Sequence, residues 1–161
     1  MGARDPLRGA PIVARRSAPD PLGGTAEAMG DSDLDVRAVL KERVIPALRL
    51  RGFRGSFPHF RRLAGAKLEL VTFQFDKWGS GNFVVNLASC PSSGAVMAWG
   101  EHIPPGRVTA YHLHPRLRLG ARDAESDHWF EYSAFASDAA AASENLLRLL
   151  DTQGATWWRA A

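Results

Sequence analysis

One cysteine occurs in 161 residues, Cys90, so no disulfide can form within the chain. A reducing, cytoplasmic setting is the expectation, and beside Pro91 the thiol reads as a small hydrophobe at a strand end. Long apolar runs are missing as well. Stretches such as Val84-Val85 or 139–142 fall far short of the ~20 residues a membrane-spanning helix needs, so no membrane segment is expected. Arg15-Arg16 is followed by Ser-Ala-Pro-Asp-Pro-Leu-Gly-Gly rather than an apolar stretch, which excludes a twin-arginine export signal. Also lacking are a G-x-x-x-x-G-K-[ST] phosphate loop, an H-E-x-x-H motif, a full zinc signature, a Ser-His-Asp order and paired carboxylates on a helix face. The sequence therefore assigns no catalytic residue, no metal and no cofactor.

What remains is an ordinary globular composition, 45% hydrophobic and 23% charged, with a net charge of +3. The charge is unevenly spread. From Arg37 to Lys77 ten Lys and Arg stand against three acids, whereas from Arg122 to Asp151 two Arg stand against seven acids. A basic first half and an acidic second half can steer a charged partner without naming it.

Residues 1–30 read as a disordered tail, with prolines at 6, 11, 19 and 21 and no apolar period. Met29 is an alternative start. Residues 31–161 are expected to form a single α+β domain. Ser32 and Asp35 fit a capping box, and Val36, Val39, Leu40, Ile45 and Leu48 give the following helix an apolar face. Pro46 is expected to kink or divide that helix, Gly52 to end it, and Phe53 to clasp it.

The stretch from Phe73 to Ala88, FQFDKWGSGNFVVNLA, carries the strongest fold signal. Phe73 and Phe75 share one face of a strand, with Thr72, Gln74 and Asp76 on the other. Phe83, Val85 and Leu87 alternate likewise against Asn82, Val84 and Asn86, and Lys77 to Asn82 supply the turn. The pattern predicts an antiparallel hairpin of Leu68 to Phe75 and Phe83 to Ala88. Further strands are expected at Ser56 to Leu63, Val96 to Ile103, Thr109 to Leu119 and His128 to Ala134. Ser137 or Asp138 then caps a helix whose apolar stripe is Ala139, Ala142, Leu146, Leu149 and Leu150, ended by Gly154. Helix, four to six antiparallel strands and helix make a mainly antiparallel sheet with helices on one face and the other partly open.

Several local signatures occur in order: Pro46-x-Leu48 and Gly52-Phe53, Phe57-x-x-Phe60-Arg61, Gln74 with Trp78, and Phe83-x-x-Asn86-Leu87. Arg116-x-Arg118-Leu119-Gly120 and Asp127-x-Trp129-Phe130 follow. Together, over roughly Asp33 to Leu150, they resemble the bacterial family catalogued as domain of unknown function 4304. Phe130 stands where the resemblance leads one to expect a second Trp. The likeness implies the fold boundaries and a bacterial origin, and it brings no catalytic residue.

Gln74, Trp78, Asn86, Arg116, Arg118 and Trp129 are expected to line a binding surface on the open sheet face. Arg116 and Arg118 share a face by alternation and suit bidentate anion recognition, with Asp123, Glu125 or Asp127 as internal partners instead. Trp78 at the hairpin tip is either a lid on the core or a contact residue, and Trp157-Trp158 read as an end that packs back or as an exposed patch. His112 and His114 fall on one face if strand-borne, close enough to share a metal, although surface or hydrogen-bonded histidines are the plainer expectation. Phe57, His59, Phe60, Arg61 and Arg62 interleave aromatics with cations, as single-stranded nucleic-acid binders do. The leading expectation is a non-catalytic binding or interaction module with another protein as partner. A small enzyme with a sheet-face pocket and a nucleic-acid binder are the alternatives.

Overall fold

In the computed structural model, which describes residues 36–161, the buried residues of the first helix recur every fourth position: Val36, Leu40, Val44 and Leu48. The tail, Met29 and the capping box of Ser32 and Asp35 lie outside the described residues. A four-residue spacing outruns the 3.6-residue α turn, so an uninterrupted α-helix would rotate these side chains off the core. Helix α1 (36–50) instead takes a π-helical stretch at Leu40–Val44 before an α-helical Ile45–Leu50, and the wider turn resets the apolar face. Pro46 does not divide the helix. It lies inside the continuous helix, directly after the π-helical stretch, and without an N–H it donates no bond back into that stretch. Gly52 (φ +94°) ends α1 as expected, with Gly52 N–H donating to Arg49 O at 3.0 Å and Phe53 N–H to Leu48 O at 3.0 Å. Phe53 is fully buried against that end.

The C-terminal helix repeats the device. Leu146, Leu150, Gly154 and Trp158 are buried at every fourth position. A π-helical stretch, Leu150–Gly154, joins Ala139–Leu149 to Ala155–Ala160 in one helix, α3 (139–160). Gly154 therefore does not end the helix. Its missing side chain lets the helix lie close on the sheet, since a Cβ there would stand 3.3 Å from Leu87 Cδ1. Asp138 caps α3, accepting from Ala141 N–H at 3.0 Å.

Five strands form one antiparallel sheet: β1 (Arg54–Ser56), β2 (His59–Ala64), β3 (Lys67–Phe75), β4 (Phe83–Pro91) and β7 (Leu117–Arg118), in the order β1-β2-β3-β4-β7. The central hairpin pairs Phe75 with Phe83 and Thr72 with Asn86, as the alternation requires. The fold is thus α+β, with helices at both ends of the domain. The inner face, including Phe60, Val71, Phe73, Phe83, Val85 and Leu87, buries against α1 and α3. Each such side chain contributes about 1.5–3 kcal/mol when fully buried.

The outer face is half covered. Leu68, Leu70, Ala88 and Cys90 lie beneath Ala95, Ile103, Val108 and Ala110 from the long β4–β7 connection. The expected strand from Val96 to Ile103 is a small hairpin, β5 (Ala95–Val96) with β6 (His102–Ile103). Thr109 to Leu119 is mostly not a strand. Thr109 caps a 3-10 turn, Ala110–His112, its hydroxyl accepting from Tyr111 N–H at 3.3 Å, and only Leu117–Arg118 reaches the sheet. His128 to Ala134 also departs from expectation. Phe130 makes a lone bridge to Phe83, and Asn82 Oδ1 then accepts from Tyr132 N–H at 2.8 Å as helix α2 (Tyr132–Ser137) begins. Among the described residues no helix is long and apolar enough to cross a membrane.

Candidate binding face of the sheet

Along the outer face the strands change character from apolar to polar. β3 runs Leu68, Leu70, Thr72, Gln74, and β4 answers with Cys90, Ala88, Asn86, Val84. The covering loop stops at Ala110, whose N–H donates to the buried Thr72 hydroxyl at 3.3 Å. Beyond that point Thr72, Asn86 and Val84 are still buried and Gln74 is half-buried, with Asn86 flanked by Thr72 on one side and Arg118 of β7 on the other.

Asn86 is completely buried. Its Nδ2 donates to Gln74 Oε1 at 3.1 Å, while Oδ1 has no hydrogen-bond partner. A buried acceptor without a donor costs about 1–3 kcal/mol, so such groups are rare and call for an explanation. Here the residue lines a cavity of about 160 Å³ with His114, Arg116, Arg118, Ser126 and Asp127. Arg118 Nη1 donates to Asp127 Oδ1 at 2.7 Å, and its guanidinium lies 5.8 Å from the Trp129 ring. Arg116 is tethered differently, its Nη1 reaching the carbonyls of Ala110, Tyr111 and Leu113 at 3.2, 3.2 and 3.3 Å. Of the internal acid partners expected for these arginines, Asp127 is the one engaged.

A wider cleft of about 610 Å³ adjoins, lined by Gln74, Phe75, Asp76, Trp78, Asn82 and Trp129 among others. The hairpin turn holds Trp78 there. Asp76 accepts from Ser80 Oγ at 2.6 Å and from Trp78 N–H at 2.8 Å, and these two bonds, in that order, hold its carboxyl below the usual carboxylate range. Gly79 and Gly81 take φ of +81° and +87°. Trp78 is 77% exposed, with Lys77 Nζ 5.1 Å from its ring, so it is no lid on the core. The Gln74–Asn86 hydrogen bond and the Arg118–Trp129 contact join cleft to cavity. Of the six residues singled out in the sequence, Gln74, Trp78 and Trp129 line the cleft, and Asn86, Arg116 and Arg118 line the cavity. The chain belongs to the family described as Domain of unknown function (DUF4304), which matches residues 44–160. No curated protein and no solved structure matches it. The family match spans every strand and helix that builds this face except the first turns of α1.

Other sequence-derived candidates fall elsewhere. His112 and His114 do not share a strand. His112 closes the 3-10 turn, its Nδ1 accepting from Thr109 N–H at 3.0 Å, and His114 lines the cavity. Among the described residues no group of three or more His, Cys, Asp and Glu is placed to hold a metal. Phe60 is in the core, Phe57 packs against it, and Arg62 turns to the inner face, bonded to Glu69 at 2.8 and 2.6 Å. Trp158 packs back into the core, whereas Trp157 is half-buried beside it. A cleft of about 880 Å³ between the end of α3 and residues 122–124 is lined by none of the buried unpartnered side chains.

Sequence reasoning missed His59 as part of the covered face. Its Nδ1 lies 3.1 Å from Thr72 Oγ1, and its ring stacks edge-on to Tyr111. Burial first, then the positive Arg61 and then His112 push its pKa below the ordinary value of about 6.5. The unfolded chain then binds more protons between the folded and ordinary values. Stability contributed by neutral His59 is complete above the ordinary value and is lost as pH falls toward the folded one. Urea midpoints of the wild type should fall on acidification below about pH 6.5, and His59→Gln should flatten that fall. Equal slopes in the two proteins would show that another group sets it.

Proposed function

We propose that the protein is a non-catalytic binding module that takes a protein partner on the outer face of its sheet. The observation carrying this reading is the orphaned Oδ1 of fully buried Asn86, a residue in the wall of the Arg116–Arg118 cavity. A cavity of about 160 Å³ suits one small donor-bearing group, such as an amide, a hydroxyl or an ammonium, rather than a whole metabolite. Around it, Trp78 and Trp129 stand in solvent beside Arg118, and Trp and Arg are the residue types that dominate protein interfaces. A side chain of the partner enters the cavity beside Asn86, Arg116 and Arg118 while an apolar neighbour lies against the two tryptophans. We place this encounter in the cytoplasm, where the single buried thiol of Cys90, its pKa pushed up by burial, stays reduced.

A photoreactive benzophenone side chain at position 78, expressed in cells of the source organism, tests the reading. It is expected to yield one discrete adduct, reduced about tenfold by Arg118→Ala, which corresponds to about 1.4 kcal/mol. The same group at position 50, where Leu50 is 89% exposed on α1, should give none. Matching adducts from both positions, or indifference to Arg118→Ala, would count against the outer face.

A further inference from the structure

We propose that a second cleft, at the β1–β2 edge, binds a small phosphate-bearing anion with an apolar body. The hairpin register sets Arg54 directly opposite Arg61. Like charges so placed repel, and a natural hairpin normally sets an opposite or neutral residue there. Both side chains line a cleft of about 690 Å³ that also receives Arg51 and Arg62 and has no carboxylate in its wall.

The four arginines are not equivalent. Arg51 is neutralised by a two-pronged bond to Asp151 at 2.7 and 2.6 Å, and Arg62 by Glu69. Among the described residues, Arg54 and Arg61 make no ion pair. Arg61 is fixed by its Nη2 donating to the Val108 carbonyl at 3.2 Å, and its Nε, shielded from solvent, has no partner. A guanidinium held at one end and set opposite a second arginine that makes no ion pair, in a wall without carboxylates, is chemically matched to a dianionic oxygen group. Arginine recognises phosphate through paired N–H donors, and a donor already held in place loses little entropy on binding.

The remainder of the wall fixes what the phosphate is attached to. Leu63, which is 67% exposed, lies there with Leu68 and Pro105. An apolar or aromatic body fits this wall, and the volume is that of a small-molecule site. With Phe60 in the core, Phe57 packed against it and no aromatic residue in the wall, the bases of a nucleic-acid strand would find no ring to stack on here.

Titration of the full chain with phenyl phosphate, inorganic phosphate and chloride at constant ionic strength tests this, followed in ¹H–¹⁵N spectra of the arginine Nε groups. Saturable shifts are expected for both phosphates and not for chloride, with phenyl phosphate the tighter. The Nε resonance assigned to Arg61 by its loss in Arg61→Lys should move most. Arg54→Ala, a change at an exposed edge residue, should weaken binding about tenfold or more without lowering Tm in the absence of ligand. Unsaturable shifts, an unmoved Arg61 resonance, or unchanged affinity in Arg54→Ala would overturn the site, and equal affinity for the two phosphates would remove the apolar body. The outcome is independent of the Asn86 face.

Discussion

Replacing Trp158 by Ala is expected to lower the unfolding free energy by about 3–5 kcal/mol, roughly a fifth or more of what a domain usually has. Trp158 is 2% exposed, lies 5.6 Å from the Phe53 ring and donates its indole N–H to Ala88 O at 3.0 Å. The Arg62 guanidinium covers both rings, and Lys67 Nζ bonds to the Trp158 carbonyl. Truncation removes the packing and leaves the Ala88 carbonyl without its indole donor, so cavity and polar costs add. Urea denaturation should show the lower midpoint with an unchanged slope. Trp157→Ala, at the neighbouring half-buried position, should cost about 1 kcal/mol. A loss for Trp158→Ala as small as that for Trp157→Ala would mean that the last turns of α3 clamp nothing.

That result would also explain why Gly154 misleads when read as a stop. Glycine after an apolar stripe usually ends a helix, and the alternative, a helix pressed against Leu87, depends on a contact with β4 far away in the chain. The same limit runs through the rest of the fold. Where structure follows from neighbouring residues, it was legible: the Gly52–Phe53 helix end, the Asp76–Asn82 turn and the alternation of β3 against β4. Thr109 to Leu119 looked like a strand because Tyr111, Leu113 and Leu117 alternate with polar residues. The hydroxyl of Thr109 and the ring of His112 turn the chain instead, and Arg116 then ties the loop down by three carbonyls. Likewise Phe130 fits a strand, but it pairs with Phe83 alone before Asn82 captures Tyr132.

The candidate sites divide on the same line. Alternation alone put Gln74 and Asn86 on one face, and Arg116 with Arg118 were conspicuous as types. That Asn86 Oδ1 has no donor follows only once Gln74 has taken Nδ2 and the covering loop has stopped at Ala110. Arg54 carried no signal in the sequence, because its opposition to Arg61 is a product of the β1–β2 register.

Asn86→Leu is the substitution that separates a functional orphan from a structural one, and it should raise stability while removing binding at the outer face. Leucine has nearly the shape of asparagine and needs no hydrogen bond. It eliminates an unpartnered acceptor that costs about 1–3 kcal/mol and gives up one ordinary hydrogen bond worth about 1 kcal/mol, to a half-buried Gln74 that can turn to water. The net expectation is a gain of about 1 kcal/mol in urea denaturation, together with loss of the photo-adduct formed from position 78. A natural chain keeps a destabilising group where the group does something, and opposite signs for stability and binding are the mark of that trade. Should Asn86→Leu instead lower stability and leave the adduct intact, the Oδ1 would be serving the fold, and the partner would have to be sought away from the Asn86 cavity.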